Sequence, residues 1–506
     1  MTVQHLTIGF ARFTTAWPVP SVVSTGVAIS IGSAGRLLFA IIVSLTLLAT
    51  ATQLAALGGR DHIFGLVALF DLNGEHNLPT WFSSLALLTA AVLLAGLAAA
   101  DDAERRAGWR GLGLVFLYLS IDEAAGVHEL LNRPLRAAFE VGPELYFPWV
   151  LVGAGVVAAL AGRYWRFILA LPPRTARLAL LSAATFTTGA LGLEIVAGPW
   201  YATEGKDNLV HVALVTAEEV LEMAGVALFI CALTGYARER QLALALTFDG
   251  HRRAQPPGLV RFSARGIRSR LSLTIAAIGL ISLGAQVLVH TLGYGDAWGL
   301  ARLVNVTREG NLPTWYQSTM LLACAALLAV IGRARTQSED PFARHWIILA
   351  GLFLYISVDE AAAIHELTVR PLRSAFGLGG LLYYPWIALG AVVVTTLAIS
   401  YRRFLWSQPR EIRNGMLLAG MLYVAGAIGV EAISGWHAEL FGRDNLRYAV
   451  LTTAEESLEM LGVLVLLGTL MAYVGTYIGT MTFNVATGVT ASDPDGGEAR
   501  HAVVGA

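Results

Sequence analysis

The segment Ser120-Ile121-Asp122-Glu123-Ala124-Ala125-Gly126-Val127-His128-Glu129 recurs as Ser357-Val358-Asp359-Glu360-Ala361-Ala362-Ala363-Ile364-His365-Glu366, a spacing of 237 residues from Ser120 to Ser357. Both copies sit in strongly apolar surroundings, and the match extends outward from them. Upstream, Glu75-His76-Asn77-Leu78-Pro79-Thr80-Trp81 pairs with Glu309-Gly310-Asn311-Leu312-Pro313-Thr314-Trp315. Downstream, Arg133-Pro134-Leu135-Arg136, Pro148-Trp149, Glu194 and Thr216-Ala217-Glu218-Glu219-Val220-Leu221-Glu222-Met223 all have partners in the second half. Long-period self-similarity of this kind marks one structural unit used twice.

The unit belongs in a membrane. Apolar residues are 56 % of the 506-residue chain, charged residues only 14 %, and mean hydropathy is +0.61; soluble domains carry roughly a quarter charged residues. Apolar runs near 34–57, 80–100, 109–131, 145–162, 176–199 and 208–236 form one set. Runs near 271–292, 314–332, 345–368, 382–400, 414–437 and 445–473 form the second. Most approach the roughly 20 residues a helix needs to cross hydrocarbon. The expected fold is therefore all-α and polytopic, with about twelve transmembrane helices in two parallel six-helix repeats. Its parts are a segment 1–33, a repeat 34–236, a basic linker 237–270, a repeat 271–473 and a polar, disordered tail 474–506. Arginines cluster after the even-numbered spans and in the linker (Arg238, Arg240, Arg252, Arg253, Arg261, Arg265, Arg268 and Arg270). By the positive-inside rule both termini are cytoplasmic, and the composition suits a bacterial inner membrane. Net charge is −1, which gives no reason to expect a nucleic-acid partner. The expected partners are the bilayer and a small molecule or ion arriving from the extracytoplasmic side.

Carboxylates inside the apolar runs are the functional signal. Each costs roughly 2.5–3.5 kcal/mol at a helix centre on the insertion scale. The candidates are Asp122, Glu123, His128, Glu129, Glu194, Glu218, Glu219 and Glu222, repeated as Asp359, Glu360, His365, Glu366, Glu431, Glu455, Glu456 and Glu459. Protons, arginine pairing (Arg133 and Arg136 are nearest) or bound cations must neutralise them. On a continuous helix Asp122 and Glu129 would share one stripe, about 20° apart, with Glu123 and His128 facing elsewhere. All belong to the extracytoplasmic half, with Glu75 and Glu309 at the rim. Asn77 reads as a helix cap ahead of Pro79. Trp81, Tyr146, Trp149, Trp315, Tyr383 and Trp386 read as an interfacial aromatic belt.

Many oxygen ligands with one imidazole and no thiolate suit Mn, Fe or Ca better than structural Zn. The expected function is divalent-metal binding in each repeat, as a membrane-embedded metalloprotein or metalloenzyme. Two alternatives stand beside it: a cation- or proton-coupled secondary transporter, and a structural or partner-binding subunit whose acids hold helices together. Glu218 and Glu222, one turn apart, are the strongest candidate ligand pair. No Walker, zincin, triad or dinucleotide motif is present.

Overall fold

The computed structural model describes residues 26–28, 31–59, 65–139, 146–205, 208–248, 259–292, 299–478 and 481–484. Most of the expected flexible tail, residues 485–506, lies outside them. After the strand β1 (Gly26–Ala28), the first half runs α1 (Ile31–Leu57), α2 (Leu66–Leu69), α3 (Leu78–Ala100), α4 (Ala103–Ala125), α5 (Asn132–Phe139), α6 (Trp149–Leu169), α7 (Pro173–Thr187), α8 (Glu194–Glu204) and α9 (Leu209–Glu239). The linker contributes β2 (Ala243–Phe248) and β3 (Leu259–Phe262). The second half repeats the order as α10 (Ala264–Leu292), α11 (Leu300–Val304), α12 (Leu312–Gln337), α13 (Ala343–Ala362), α14 (Val369–Phe376), α15 (Trp386–Ser400), α16 (Arg402–Ser407), α17 (Arg410–Val424), α18 (Glu431–Phe441) and α19 (Leu446–Tyr473), and ends in β4 (Met481–Asn484).

Among the described residues ten helical stretches are long and apolar enough to cross a membrane, as in a multi-pass membrane protein. Two of the twelve expected runs fall short for local reasons. Arg105, Arg106, Arg110, Asp122 and Glu123 lower the hydropathy of α4, and α15 is a shorter apolar helix. Their counterparts in the other half, α13 and α6, both qualify. Large apolar side chains stay uncovered on the outer helices, for example Leu151 (59 % exposed) on α6 and Val392 (65 %) on α15. Hydrocarbon tolerates such surfaces, whereas in water patches of this kind promote association.

The linker is more than a tether. Its two strands join β1 and β4 in one sheet of order β1-β4-β2-β3, with Gly26 beside Thr482, Leu244 beside Phe483 and Thr247 beside Arg261. Hydrogen bonding between these backbones brings the start and finish of both halves to one end of the bundle.

Asn77 and Asn311 cap α3 and α12 as the sequence implies, accepting from the amides of Thr80 (3.0 Å) and Thr314 (3.2 Å). The halves then meet through α3 and α4 against α12 and α13. Trp81 donates from Nε1 to Ser357 Oγ (3.2 Å), and Trp315 donates to Ser120 Oγ (3.0 Å), each reaching into the other half. These indoles therefore tie the repeats together instead of forming an aromatic belt. An N–H in an apolar medium needs an acceptor, and the facing serine supplies it.

Candidate functional site

The helix carrying the repeated motif stops earlier than its apolar run. Both α4 and α13 end six residues before the expected ends of their spans, at Ala125 and Ala362, where Gly126 (φ 56°) and Ala363 (φ 47°) turn left-handed. A single 3₁₀ turn follows, His128–Leu131 or His365–Thr368. The expected stripe joining Asp122 to Glu129 on one continuous helix is therefore absent. The turn instead folds the histidine back onto the aspartate. Asp122 Oδ1 accepts the His128 amide at 2.7 Å, and its Oδ2 lies 3.0 Å from His128 Nδ1. Asp359 and His365 reproduce this at 2.8 and 3.0 Å. Both aspartate oxygens are engaged, and Nε2 is left as the imidazole atom free to meet a ligand.

Around this turn the halves diverge. In the second half, one ligand atom each from Glu309, His365 and Glu366 lies within 4.8 Å of the other two. Among the described residues no other group of three meets that criterion, so Glu75, His128 and Glu129 do not close in the same way. The Glu75 carboxylate sits against the turn at Gly126, with Oε1 2.7 Å from where a Cβ at that position would stand. His76 Nε2 is 3.7 Å from Glu75 Oε2, and Arg302 acts electrostatically on Glu75. The His76 ring fills the space beside Gly310, where an added Cβ would fall 1.4 Å from Cε1; only glycine fits opposite it. Both rim carboxyls lie outside the apolar helices and have shifted affinity for protons. Burial, then Glu129, pushes Glu75 up to about 7. Burial, then Glu366, pushes Glu309 up to about 8.

Deeper acids continue inward from the rim. Gln317, fully buried, donates from Nε2 to Glu360 (3.2 Å) and Glu459 (3.1 Å), and its Oε1 has no partner among the described residues. Ser434 donates to Glu455 at 2.9 Å. The first half has Ser83 and Ala197 at these two places, so Glu123, Glu222 and Glu218 lack the corresponding donors. Glu222 has Glu219, Glu123, Glu218 and Glu194 as its electrostatic neighbours, and Glu456 has Glu459, Glu360, Glu455 and Glu309. Glu218 and Glu222 lie across from a π-helical turn, Thr188–Leu193, whose Gly189 approaches the Glu218 carbonyl and Glu222 Cγ. Ala425–Val430 repeats this with Gly426 against Glu455 and Glu459. Such turns are frequent at functional sites. This pair is thus well placed beside the cluster but does not join the group of three that converges.

Arginine pairing does not neutralise the cluster. Arg136 and Arg373 donate to the carbonyls of Tyr146 and Tyr383 and lie over those rings. Among the described residues no arginine forms an ion pair with a cluster carboxylate. Trp149 and Trp386, expected in the aromatic belt, turn inward instead. Each donates its indole N–H to Glu194 (2.8 Å) or Glu431 (2.9 Å) and stands beside His128 or His365. Sequence reasoning missed the indole donors and Gln317. The signal was there in part, since Trp149 and Trp386 recur at the same distance, 45 residues, ahead of Glu194 and Glu431.

Fold and site together define a helical protein of two fused copies, each carrying an Asp–His turn ringed by carboxylates. The family described as a domain of unknown function (DUF8692) matches residues 37–235 and again 271–474. The two matches span well over half of the chain, which belongs to that family and carries its domain twice. No curated protein and no solved structure matches the chain.

Proposed function

We propose that the protein is a multi-pass membrane metalloprotein that binds a divalent cation through Glu309, His365 and Glu366. The observation that carries this reading is the convergence of two carboxylates and one imidazole within 4.8 Å. In this reading Asp359 does not coordinate. It receives the Nδ1 proton of His365 and fixes the tautomer that presents Nε2, the usual support of a metal-bound histidine. Two carboxylates and an imidazole without thiolate favour Mn²⁺, Fe²⁺ or Ca²⁺ over structural Zn²⁺. Three protein donors leave positions for water or substrate, as a metalloenzyme requires.

The membrane layout that accompanies this is twelve spans, six per repeat, with α4 and α15 crossing like their counterparts. Arginine placement puts the sheet end in the cytoplasm and the site toward the outside of a bacterial inner membrane. The test is metal content of the purified full chain offered Mn²⁺, Fe²⁺ or Ca²⁺. The wild type should retain metal, and Glu309→Gln with Glu366→Gln should lose it while remaining folded. A wild type that retains none of the three metals would sink the reading.

One observation favours a second reading, a cation- or proton-coupled transporter. Glu309, Glu360, Gln317 and Glu459 form a polar series leading from the rim into the bundle. Glu459→Gln would then abolish ion flux in proteoliposomes without removing metal at the rim. If the protein carries no flux at all, the transporter reading falls.

A further inference from the structure

The two Asp–His turns make the same hydrogen bonds, and at the left-handed position itself they differ by one methyl group, Gly126 against Ala363. That methyl sits where it matters. The Glu75 carboxylate occupies the space a side chain at 126 would take, at 2.7 Å from the Cβ position, a separation real Cβ atoms do not tolerate. With alanine at 363, the same resting place is closed to Glu309. Glu309 is found instead with His365 and Glu366.

We propose that the residue at the left-handed turn selects which half holds the cation, with Gly126 letting the Glu75 carboxylate rest against the turn, short of convergence with His128 and Glu129, and Ala363 holding Glu309 in the site. This rests on the metal reading and adds to it a stoichiometry of one cation per chain, in the second half. Surrounding charge points the same way. The electrostatic neighbours of Glu75 are Glu129, His128, Arg302 and Asp122, and those of Glu309 are Glu366, His365, Glu360 and Asp359, so an arginine acts on the first rim acid and none on the second. Arg443 does act on Glu366, so the second site is not free of basic neighbours, but it keeps a net excess of carboxylate. His76 stands 3.7 Å from the Glu75 carboxylate. A methyl introduced at 126 would displace that carboxylate from its seat, and His128 and Glu129 are among its neighbours.

Backbone geometry makes the exchange feasible. Gly126 and Ala363 have φ of 56° and 47°, so alanine already occupies this conformation in one copy. Only the far end of a flexible glutamate must move.

The experiment counts Mn²⁺ bound per full-length chain in lipid nanodiscs, for the wild type and for Gly126→Ala, Ala363→Gly, Glu129→Gln and Glu366→Gln. The expected result is one Mn²⁺ in the wild type, lost in Glu366→Gln and kept in Glu129→Gln. Gly126→Ala should bind two. Ala363→Gly should weaken the single site at least tenfold, and it serves as the test should Gly126→Ala fail to fold. Two equal sites in the wild type, one removed by each glutamine variant, would overturn this inference and leave the metal reading standing. The same holds if Gly126→Ala folds and still binds one. No Mn²⁺, Fe²⁺ or Ca²⁺ bound to the wild type would end both.

Discussion

Replacing Asp359 by asparagine changes no proposed metal ligand, yet it should weaken cation binding. The carboxylate makes two contacts with His365, to the amide at 2.8 Å and to Nδ1 at 3.0 Å. In Asp359→Asn the amide oxygen keeps the backbone bond, and the NH₂ group faces Nδ1. Two donors cannot face each other, so Nδ1 becomes an acceptor and the ring proton moves to Nε2. That is the atom the ligand needs. Loss of an outer partner of a metal-bound histidine typically costs 10–100-fold in affinity, or about 1.4–2.8 kcal/mol. Calorimetric titration of Mn²⁺ into wild type and variant would measure it directly, with Asp122→Asn as the control. On the one-site inference the control keeps wild-type affinity. If Asp359→Asn binds within about threefold of wild type while folded, His365 is not held for coordination and the reasoning fails.

Three further outcomes follow from particular contacts. Ser120→Ala removes the acceptor of Trp315 Nε1 and a donor to the Ser84 carbonyl; at about 0.6 kcal/mol per interhelical bond, and up to about 1.7, it should destabilise the protein by roughly 1–3 kcal/mol in a reversible detergent unfolding assay. Because Glu309 holds its proton up to about pH 8, a cation must displace that proton. Mn²⁺ affinity should therefore rise between pH 6 and 9, and a flat profile would remove Glu309 from the ligand set. Reporter fusions in the 249–258 segment should report cytoplasm and fusions near Gly205 and Gly442 the opposite side; both on one side would refute the parallel arrangement.

The repeat, the membrane class and every carboxylate position were legible because they depend on residue identity and spacing alone. The helix break was not. Gly126 in an apolar run reads as a tolerated glycine, and its partner Ala363 is the best of helix formers. What ends the helix is a side-chain contact that helical periodicity does not encode: the aspartate three residues before the helix end captures the next turn's amide and imidazole in both copies. The reading of His128 as facing away from Asp122 failed for the same reason, since it assumed helical phase beyond Ala125. The tryptophans show a different limit. An indole near a span end suits a membrane interface or a buried acceptor equally well, and only the positions of Ser120, Ser357, Glu194 and Glu431 decide. The four-stranded sheet was hidden by the linker's arginines, which read as topology signals, and two of its three pairings, β1 with β4 and β2 with β4, join segments more than 200 residues apart.

The differences between the copies also bear on what the duplicated unit does. At the positions compared, the second half has Gln317 for Ser83, Ser434 for Ala197, Ala363 for Gly126 and Gly310 for His76. The first two supply donors to Glu360, Glu459 and Glu455; the third closes the alternative seat of the rim glutamate; the fourth leaves room for the facing histidine. All four lie around the carboxylates, whereas the serines and tryptophans that join the halves are the same in both. A purely structural role would ask for equal satisfaction of the acids in each copy, because a buried carboxylate without donors is costly wherever it sits. Instead one copy has donors on Glu360, Glu459 and Glu455 and its rim ligands converged, and the other lacks those donors and rests its rim glutamate against Gly126, with His76 and Arg302 among its neighbours. That division suits a protein with one working cation site and a second unit retained to complete the interface. It does not suit a bundle held together by interchangeable acids.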